Sequence, residues 1–182
     1  GLASLRPRWN VSGTYMQVVP AFVSVGPDGT EHDFLAEVID DPGALTSLIF
    51  RKGYQWPFDI DKVHDGSSLI DILTYRETVM RGRRVFLDFR INQPSWDPNL
   101  LDDEARGYLE SAGVLGLETP VERLQHMNQP AYEFYLNRNP GIDLAADRLE
   151  IGVCAQHNNG GIDVDLWWRS SIAGLFPVGE AA

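Results

Sequence analysis

The sequence predicts an α+β fold, because β-rich segments lie near both ends of the chain and helical patterns fill the middle. Residues 14–25 are β-rich, and a Gly-Pro-Asp-Gly turn signal at 26–29 follows them. Proline presets φ and glycine accepts a positive φ, so this pattern predicts a β-hairpin at the start of the fold. Near the other end, residues 149–155 predict a strand that leads into a glycine-rich loop.

Between the β-rich ends, helix start and stop signals alternate with short spacers. Pro42 suits the first turn of a helix, and Gly53 suits the position just after its end. A second helix is capped by Ser67 or Ser68, reaches about residue 81 and ends at Gly82. The remaining predicted elements are a short strand at 85–89 and helices at 102–112, 120–127 and 130–137.

Composition narrows the class of protein. The chain has 182 residues, 43% of them apolar, which is enough for a buried core. Its 15 basic residues against 26 acidic ones, a net charge of -11, argue against a nucleic-acid partner. A single cysteine cannot form an internal disulfide, and no apolar run is long enough to cross a membrane. We therefore expect a cytoplasmic protein without a transmembrane segment.

The last part of the chain carries the strongest functional signal. Gly160 and Gly161 follow a His/Asn cluster, and adjacent glycines let a backbone approach a ligand closely because neither has a Cβ. The apolar run 175–178 predicts a strand that leads to Glu180, placing a carboxylate where open α/β sheets bind ligands. An unpaired strand at this point could also pair with a second copy and form a homodimer.

Four blocks of the sequence resemble the flavoprotein subunit of the fumarate reductase and succinate dehydrogenase family. Residues 156–165 are similar to the family's HxxxGGI loop, and residues 172–180 to its GLFAVGE block. Residues 75–81, YRETVMR, resemble the family's RDVVSR segment, and residues 84–88 resemble its VYLDL strand. The blocks occur in the family's order.

The resemblance implies a fragment of an FAD-dependent oxidoreductase. Residues 14–153 would form the capping domain that closes over a small-molecule substrate, and residues 1–13 the edge of the FAD-binding domain or a linker. Residues 154–182 would form a hinge loop and a truncated piece of the Rossmann-like FAD-binding domain. No G-x-G-x-x-G turn follows a strand here, so the missing FAD-binding domain of the same polypeptide would hold most of the cofactor. The isolated chain is expected to be inactive and to bind no FAD.

Arg76 takes the place of the family arginine that exchanges a proton with fumarate or succinate. Leu69, Ile72 and Leu73 share its predicted helical face, which would anchor it beside the core. Because an arginine pKa lies above about 12, such a residue needs a partner that restores its proton. Glu77 would point to another face, so we expect that partner outside this helix. The alternative is a structural Arg76, solvated or paired with a local acid.

The glycine loop departs from the family pattern by one position. Gln156 occupies the place of the family histidine, and His157 follows it. Either the loop is shorter and His157 binds the substrate carboxylate, or Gln156 replaces the histidine as a neutral donor. The resemblance also implies that Gly160 and Gly161 approach the cofactor and that Glu180 hydrogen-bonds FAD.

The function that the resemblance implies is hydride exchange between flavin and a C–C bond next to a carboxylate or carbonyl. The same fold could act on another substrate, as aspartate oxidases and ketosteroid dehydrogenases do. A free-standing binding module is the alternative from another class, with the apolar tail and the aromatic segment 54–58 as its partner surface.

No metal site is predicted, since the acid/His cluster at 59–65 has no zinc or EF-hand spacing. Trp167 and Trp168 are expected to pack at the domain junction.

Overall fold

The computed structural model of the chain describes residues 1–138, 142–155 and 161–178. These residues form one antiparallel sheet with helices, which confirms the predicted α+β class. The strands are β1 (Leu2–Leu5), β2 (Arg8–Asn10), β3 (Pro20–Val25), β4 (Glu31–His32), β5 (Arg84–Asn92) and β6 (Leu149–Val153), in the spatial order β2-β1-β6-β5-β3-β4. The helices are α1 (Thr14–Gln17), α2 (Pro42–Arg51), α3 (Ser68–Tyr75), α4 (Asp103–Ser111) and α5 (Pro120–Arg138), with a π-helix at Arg76–Met80 and a 3₁₀ turn at Ile60–Lys62.

The predicted hairpin is β3 with β4. Its turn closes through a hydrogen bond from the Gly29 N–H to the Gly26 carbonyl at 2.9 Å, and Gly29 has a φ of +82°. That backbone conformation requires glycine, as the sequence pattern indicated. The first part of the β-rich segment is different, because residues 14–17 form α1. Tyr15 and Met16 are buried there against the core, and this packing overrides their β propensity.

The helices pack on the sheet and enclose the core. Phe22 on β3 and Leu87 and Phe89 on the neighbouring β5 contribute side chains to this core, and each is essentially inaccessible to solvent. Tyr135 on α5 is equally buried, and its hydroxyl donates to Ser4 Oγ on β1 at 3.1 Å. A buried tyrosine hydroxyl requires such a partner, so this bond fixes α5 against the sheet.

The predicted helices occur with small differences in their ends. α2 begins where Pro42 indicated, and the Asp41 side chain caps it by accepting from the Ala44 N–H at 2.6 Å. The helices expected at 120–127 and 130–137 are joined as α5, which breaks at Asn128, where φ is -155°. Pro130 follows this break at the start of the second half, a position that proline tolerates.

The segment 161–178 has no regular secondary structure, so the strand predicted at 175–178 is not formed. A turn replaces it, in which the Ser170 N–H donates to the Leu175 carbonyl at 3.1 Å. This run is paired with neither of the two edge strands of the described sheet, β2 and β4. Trp167 and Trp168 are 73% and 50% exposed, so the expected packing of these rings is not made within the described residues.

Within the same ranges, none of the helices combines the length and the apolar character needed to cross a membrane.

Candidate functional site

The π-helix at Arg76–Met80 organises the candidate site. α3 ends at Tyr75, and the Arg81 N–H then donates to the Arg76 carbonyl, five residues back, at 3.0 Å. This register places one more residue in the turn than an α-helix allows. Gly82, with a φ of +63°, then turns the chain towards β5. Single π-turns are frequent at functional sites, because they move side chains away from their helical positions.

Glu77 lies at the centre of the site and is fully buried. Its carboxylate accepts a hydrogen bond from Ser24 Oγ on β3 at 2.7 Å and another from Arg81 at 2.9 Å. His32 Nε2 lies 3.1 Å from Glu77 Oε2, and Arg83 Nε lies 3.4 Å from the same oxygen. Four side chains from three parts of the chain therefore converge on one carboxylate.

These contacts keep Glu77 ionised. Burial by itself would raise the pKa of Glu77, but the hydrogen bonds from Ser24 and His32 and the positive charge of Arg81 outweigh it. The pKa of Glu77 therefore lies below its usual value. A buried, charged acid with several cationic neighbours is a stable electrostatic anchor for the arginines around it.

Arg76 lies at the edge of this cluster. Its Nη2 is 3.4 Å from Glu37 Oε2, and its Nε is 3.6 Å from Glu77 Oε1. The Nε atom is buried, and no hydrogen-bond partner for it lies within the described residues. The side chain is 26% exposed. Both acid contacts are long and neither is bidentate, so the guanidinium of Arg76 is not fully engaged by its two acidic neighbours.

Glu37 contacts Arg76 from outside the helix, in line with the expectation, but Glu77, which was expected on another face, also lies 3.6 Å from Arg76 Nε. The π-turn accounts for this contact, because it changes the angles between successive side chains. The predicted burial of the helix face was also incomplete. Ile70, Leu73 and Glu77 form the buried face, whereas Ile72 is 42% exposed. Arg76 therefore lies on the accessible side of the helix, together with the exposed residues Ile72, Val79 and Met80.

The charges of the cluster suit an anionic group. Arg76, Arg81 and Arg83 lie near two glutamates, Glu37 and Glu77, so the arginines outnumber the carboxylates. His32 bridges the two acids, with Nδ1 2.9 Å from Glu37 Oε1. A cleft of about 200 Å³ adjoins the cluster at His32, and its charged lining residues are Glu31, Asp33 and Arg148, of which Arg148 is paired with Glu31. The planar guanidinium group of arginine can donate hydrogen bonds to both oxygens of a carboxylate.

Most of the other predicted site residues cannot be placed. Gln156, His157, Gly160 and Glu180 lie outside the described residues. Gly161 is described and is exposed in an irregular segment. In the parts of the chain that the structure describes, no group of three or more His, Cys, Asp or Glu residues is placed to hold a metal ion.

Sequence reasoning missed His32, Glu37 and the central place of Glu77. Glu77 could have been found from the YRETVMR block, in which an acid directly follows the candidate arginine. The sequence around His32 and Glu37 does not mark them as site residues, because they reach the site only through the hairpin and the segment after it.

Comparisons with known proteins relate part of this chain to one kind of enzyme. No protein-family model matches the chain, and no solved structure matches it significantly. A stretch of 77 residues, 42% of this chain, is 35% identical to L-aspartate oxidase of Pyrococcus furiosus and covers 16% of that protein. A stretch of 51 residues, 28% of this chain, is 37% identical to L-aspartate oxidase of Pyrococcus abyssi and covers 11% of it. The matches thus span less than a fifth of these relatives. Part of this chain is similar in sequence to L-aspartate oxidases.

Proposed function

We propose that this chain is part of an FAD-dependent oxidoreductase, in which it closes over the substrate and supplies Arg76 to the reaction. The observation that carries the proposal is the setting of Arg76. Its guanidinium is partly exposed, its Nε has no hydrogen-bond partner among the described residues, and a buried carboxylate anchors it. The similarity to L-aspartate oxidases supports the same class of enzyme.

Arg76 would act as the proton donor or acceptor at the carbon next to the one that exchanges hydride. Proton transfer by a positioned side chain requires that the side chain reach the substrate and that its orientation be fixed. Glu77 and Glu37 supply the orientation, and the exposed side of the helix supplies the access. After Arg76 gives up its proton, Glu37 is the nearest carboxylate through which the proton can be restored, because Glu37 Oε2 lies 3.4 Å from Arg76 Nη2 and is 42% exposed to solvent.

FAD itself would be held mainly by residues beyond those described. The described sheet is entirely antiparallel, so it has no parallel βαβ unit to offer a pyrophosphate. In the proposal, Gly160 and Gly161 approach the cofactor and Glu180 accepts a hydrogen bond from it. When bound, the flavin supplies the hydride exchange. Closure of this chain over the site would exclude water and strengthen the charged contacts of Arg76.

The substrate class follows from the charges near Arg76. An excess of arginine over glutamate favours a carboxylate next to the reacting C–C bond, as in a dicarboxylic acid, with Gln156 or His157 clamping the acceptor group. L-aspartate is the second candidate, because both relatives are L-aspartate oxidases. The two candidates differ in which bond of the substrate is oxidised, and product analysis separates them.

The test uses the full-length polypeptide that contains this chain. We expect it to purify with flavin, and we expect succinate or L-aspartate to reduce that flavin under anaerobic conditions, as seen in the absorption spectrum. Absence of flavin from the full-length protein would contradict the proposal.

The isolated chain provides the matched comparison. Calorimetric titration of the 182-residue chain with FAD should show no measurable binding, because the pyrophosphate site would lie elsewhere. Micromolar affinity of this chain for FAD would contradict the assignment of the cofactor site to another part of the polypeptide.

A further inference from the structure

A separate cleft of about 470 Å³ lies between α2 and α4, and we call it the tyrosine cleft. Its volume falls in the range of small-molecule sites. The residues that matter for its chemistry are Gln17, Phe50, Tyr54, Glu104, Gly107 and Tyr108. None of them belongs to the Arg76 cluster, so this cleft is independent of the proposed oxidoreductase site.

Three aromatic rings converge on the tyrosine cleft. Phe50 is buried and packs edge-on with Tyr54 at 6.2 Å and with Tyr108 at 5.3 Å between ring centroids. The two tyrosines are 45% and 44% exposed, so both present ring surface to the cleft. Aromatic faces carry partial negative charge and attract cations.

A carboxylate reinforces this attraction. Glu104 Oε1 accepts a hydrogen bond from the neutral Tyr54 hydroxyl at 2.8 Å, and its charge interacts only at longer range with that of Arg51. Burial and the hydrogen bond to Glu104 raise the pKa of Tyr54 to about 12, so its hydroxyl remains a donor. The nearby Arg51 is paired with Asp102. None of the cleft's lining residues in the described chain is basic.

Gly107 keeps the tyrosine cleft open. It lies inside α4, where glycine weakens a helix relative to alanine. A Cβ built at Gly107 would meet no atom within 4 Å, so the space next to it is empty. A larger side chain at this position can therefore fill the cleft without disturbing the backbone.

We propose that the tyrosine cleft is a binding site for a small organic cation of the ammonium class, held by the rings of Tyr54 and Tyr108 and the carboxylate of Glu104. The aromatic rings and the carboxylate favour a positive charge, and the volume admits a compact alkylammonium group. Nothing in this inference depends on flavin or on Arg76.

The test is calorimetric titration of the complete 182-residue chain with choline and with 3,3-dimethylbutan-1-ol, its uncharged isostere. We expect choline to bind about tenfold more tightly than the neutral compound, in line with a cation–π contact assisted by a carboxylate. Equal binding of the two compounds, or no binding of choline at millimolar concentration, would overturn the proposal.

Three variants locate the binding. Gly107→Leu should abolish choline binding, and Gly107→Ala, the matched control, should retain it. Glu104→Gln should weaken binding several-fold, and thermal unfolding should show that all three variants remain folded.

Unchanged binding in both Gly107→Leu and Glu104→Gln would place the cation elsewhere and overturn the proposal. Tighter binding of a capped arginine peptide than of choline would also overturn it, because the cleft would then belong to a protein–protein surface.

Discussion

Glu77 is a fully buried acid whose partners come from distant parts of the chain. Ser24 on β3, His32 on β4 and Arg81 after the π-helix all contact its carboxylate. An isolated carboxylate at this depth would be costly, so its charge depends on these partners. The same partners join the hairpin to the π-helix and to the turn that follows it.

We expect Glu77→Gln to lower the free energy of unfolding at pH 7 by about 3 kcal/mol, the lower end of the range for a broken buried ion pair. The pKa of Glu77 is depressed in the folded state, so its contribution is complete above the ordinary glutamate pKa of 4.5. That contribution is lost as the pH falls through the lower folded-state value. Urea unfolding of wild type and variant across this pH range should show the difference shrinking on acidification.

Glu110→Gln is the matched control, because Glu110 is exposed on α4. Its effect on the free energy of unfolding should stay within about 0.5 kcal/mol at every pH. A constant difference between wild type and Glu77→Gln from neutral to acidic pH would contradict the role given to the Glu77 charge.

Lys52 and Asp71 form a second buried group, and both side chains are almost completely inaccessible. Lys52 Nζ donates to Asp71 and lies 3.3 Å from the Trp56 carbonyl. Burial lowers the pKa of Lys52 and raises the pKa of Asp71. Desolvation thus opposes the attraction between the two charges, as is common for buried pairs.

Lys52→Met alone should lower the free energy of unfolding by about 3–5 kcal/mol, because it leaves the buried Asp71 carboxyl group without its cationic partner. The double variant Lys52→Met with Asp71→Leu should recover most of that loss, since two apolar side chains replace two desolvated charges. Denaturant unfolding of both variants and of the single variant Asp71→Leu gives a double-mutant cycle, which measures the coupling energy between the two side chains. A double variant whose loss equals the sum of the two single losses would contradict this account.

At the scale of elements, local signals in the sequence predicted α2 and the β3–β4 hairpin. A proline at the first turn of α2 and a glycine at positive φ in the hairpin turn act within a few residues. The helix after Ser68 was predicted to continue to residue 81, but it changes to a π-helix at Arg76. Hydrophobic periodicity assumes 3.6 residues per turn, so it cannot show this register change. Glu77 lies on the same helical face as Ile70 and Leu73, but a charged residue does not appear in an apolar pattern.

The break in α5 depends on Asn128. Its side chain accepts from the Ala131 N–H at 3.1 Å, which caps the second half of the helix, and donates to Thr14 Oγ1 at 3.2 Å. We expect Asn128→Ala to lower the free energy of unfolding by about 1 kcal/mol, the usual value of an N-cap. Gln129→Ala, at an exposed neighbouring position, should have little effect in the same unfolding experiment. Equal effects of the two variants would contradict a capping role for Asn128.

At the scale of the whole molecule, the sequence predicted one part of the site and missed the rest. Arg76 was found because its neighbours form a recognisable block, YRETVMR. His32 and Glu37 reach the same cluster only through tertiary folding. The spacing of residues along the sequence does not predict that these two side chains lie next to Arg76 and Glu77. The run at 175–178 pairs with neither edge strand of the sheet, and Leu175, Phe176 and Val178 remain exposed. A short apolar run cannot by itself specify a pairing partner.

Two groups among the exposed apolar residues bear on the proposed enzyme. Ile72, Val79 and Met80 lie on the accessible side of the helix that carries Arg76, and Leu166, Trp167 and Phe176 lie in the C-terminal segment. In the proposed enzyme, both groups would be covered by the cofactor-binding part of the polypeptide. This arrangement makes Arg76 the residue whose replacement is most informative.

The most direct test of the central proposal is the turnover of Arg76→Lys in the full-length polypeptide, with Arg84→Lys as the control. Arg84 is an exposed arginine paired with Glu150 at 2.7 Å and is given no role in the reaction. We expect Arg76→Lys to lower kcat by about 10²–10⁴ with flavin content unchanged, because lysine cannot reproduce the planar fork of arginine. Arg84→Lys should turn over at close to the wild-type rate. A drop of less than about tenfold for Arg76→Lys would contradict the proposal and identify Arg76 as a structural partner of Glu37 and Glu77.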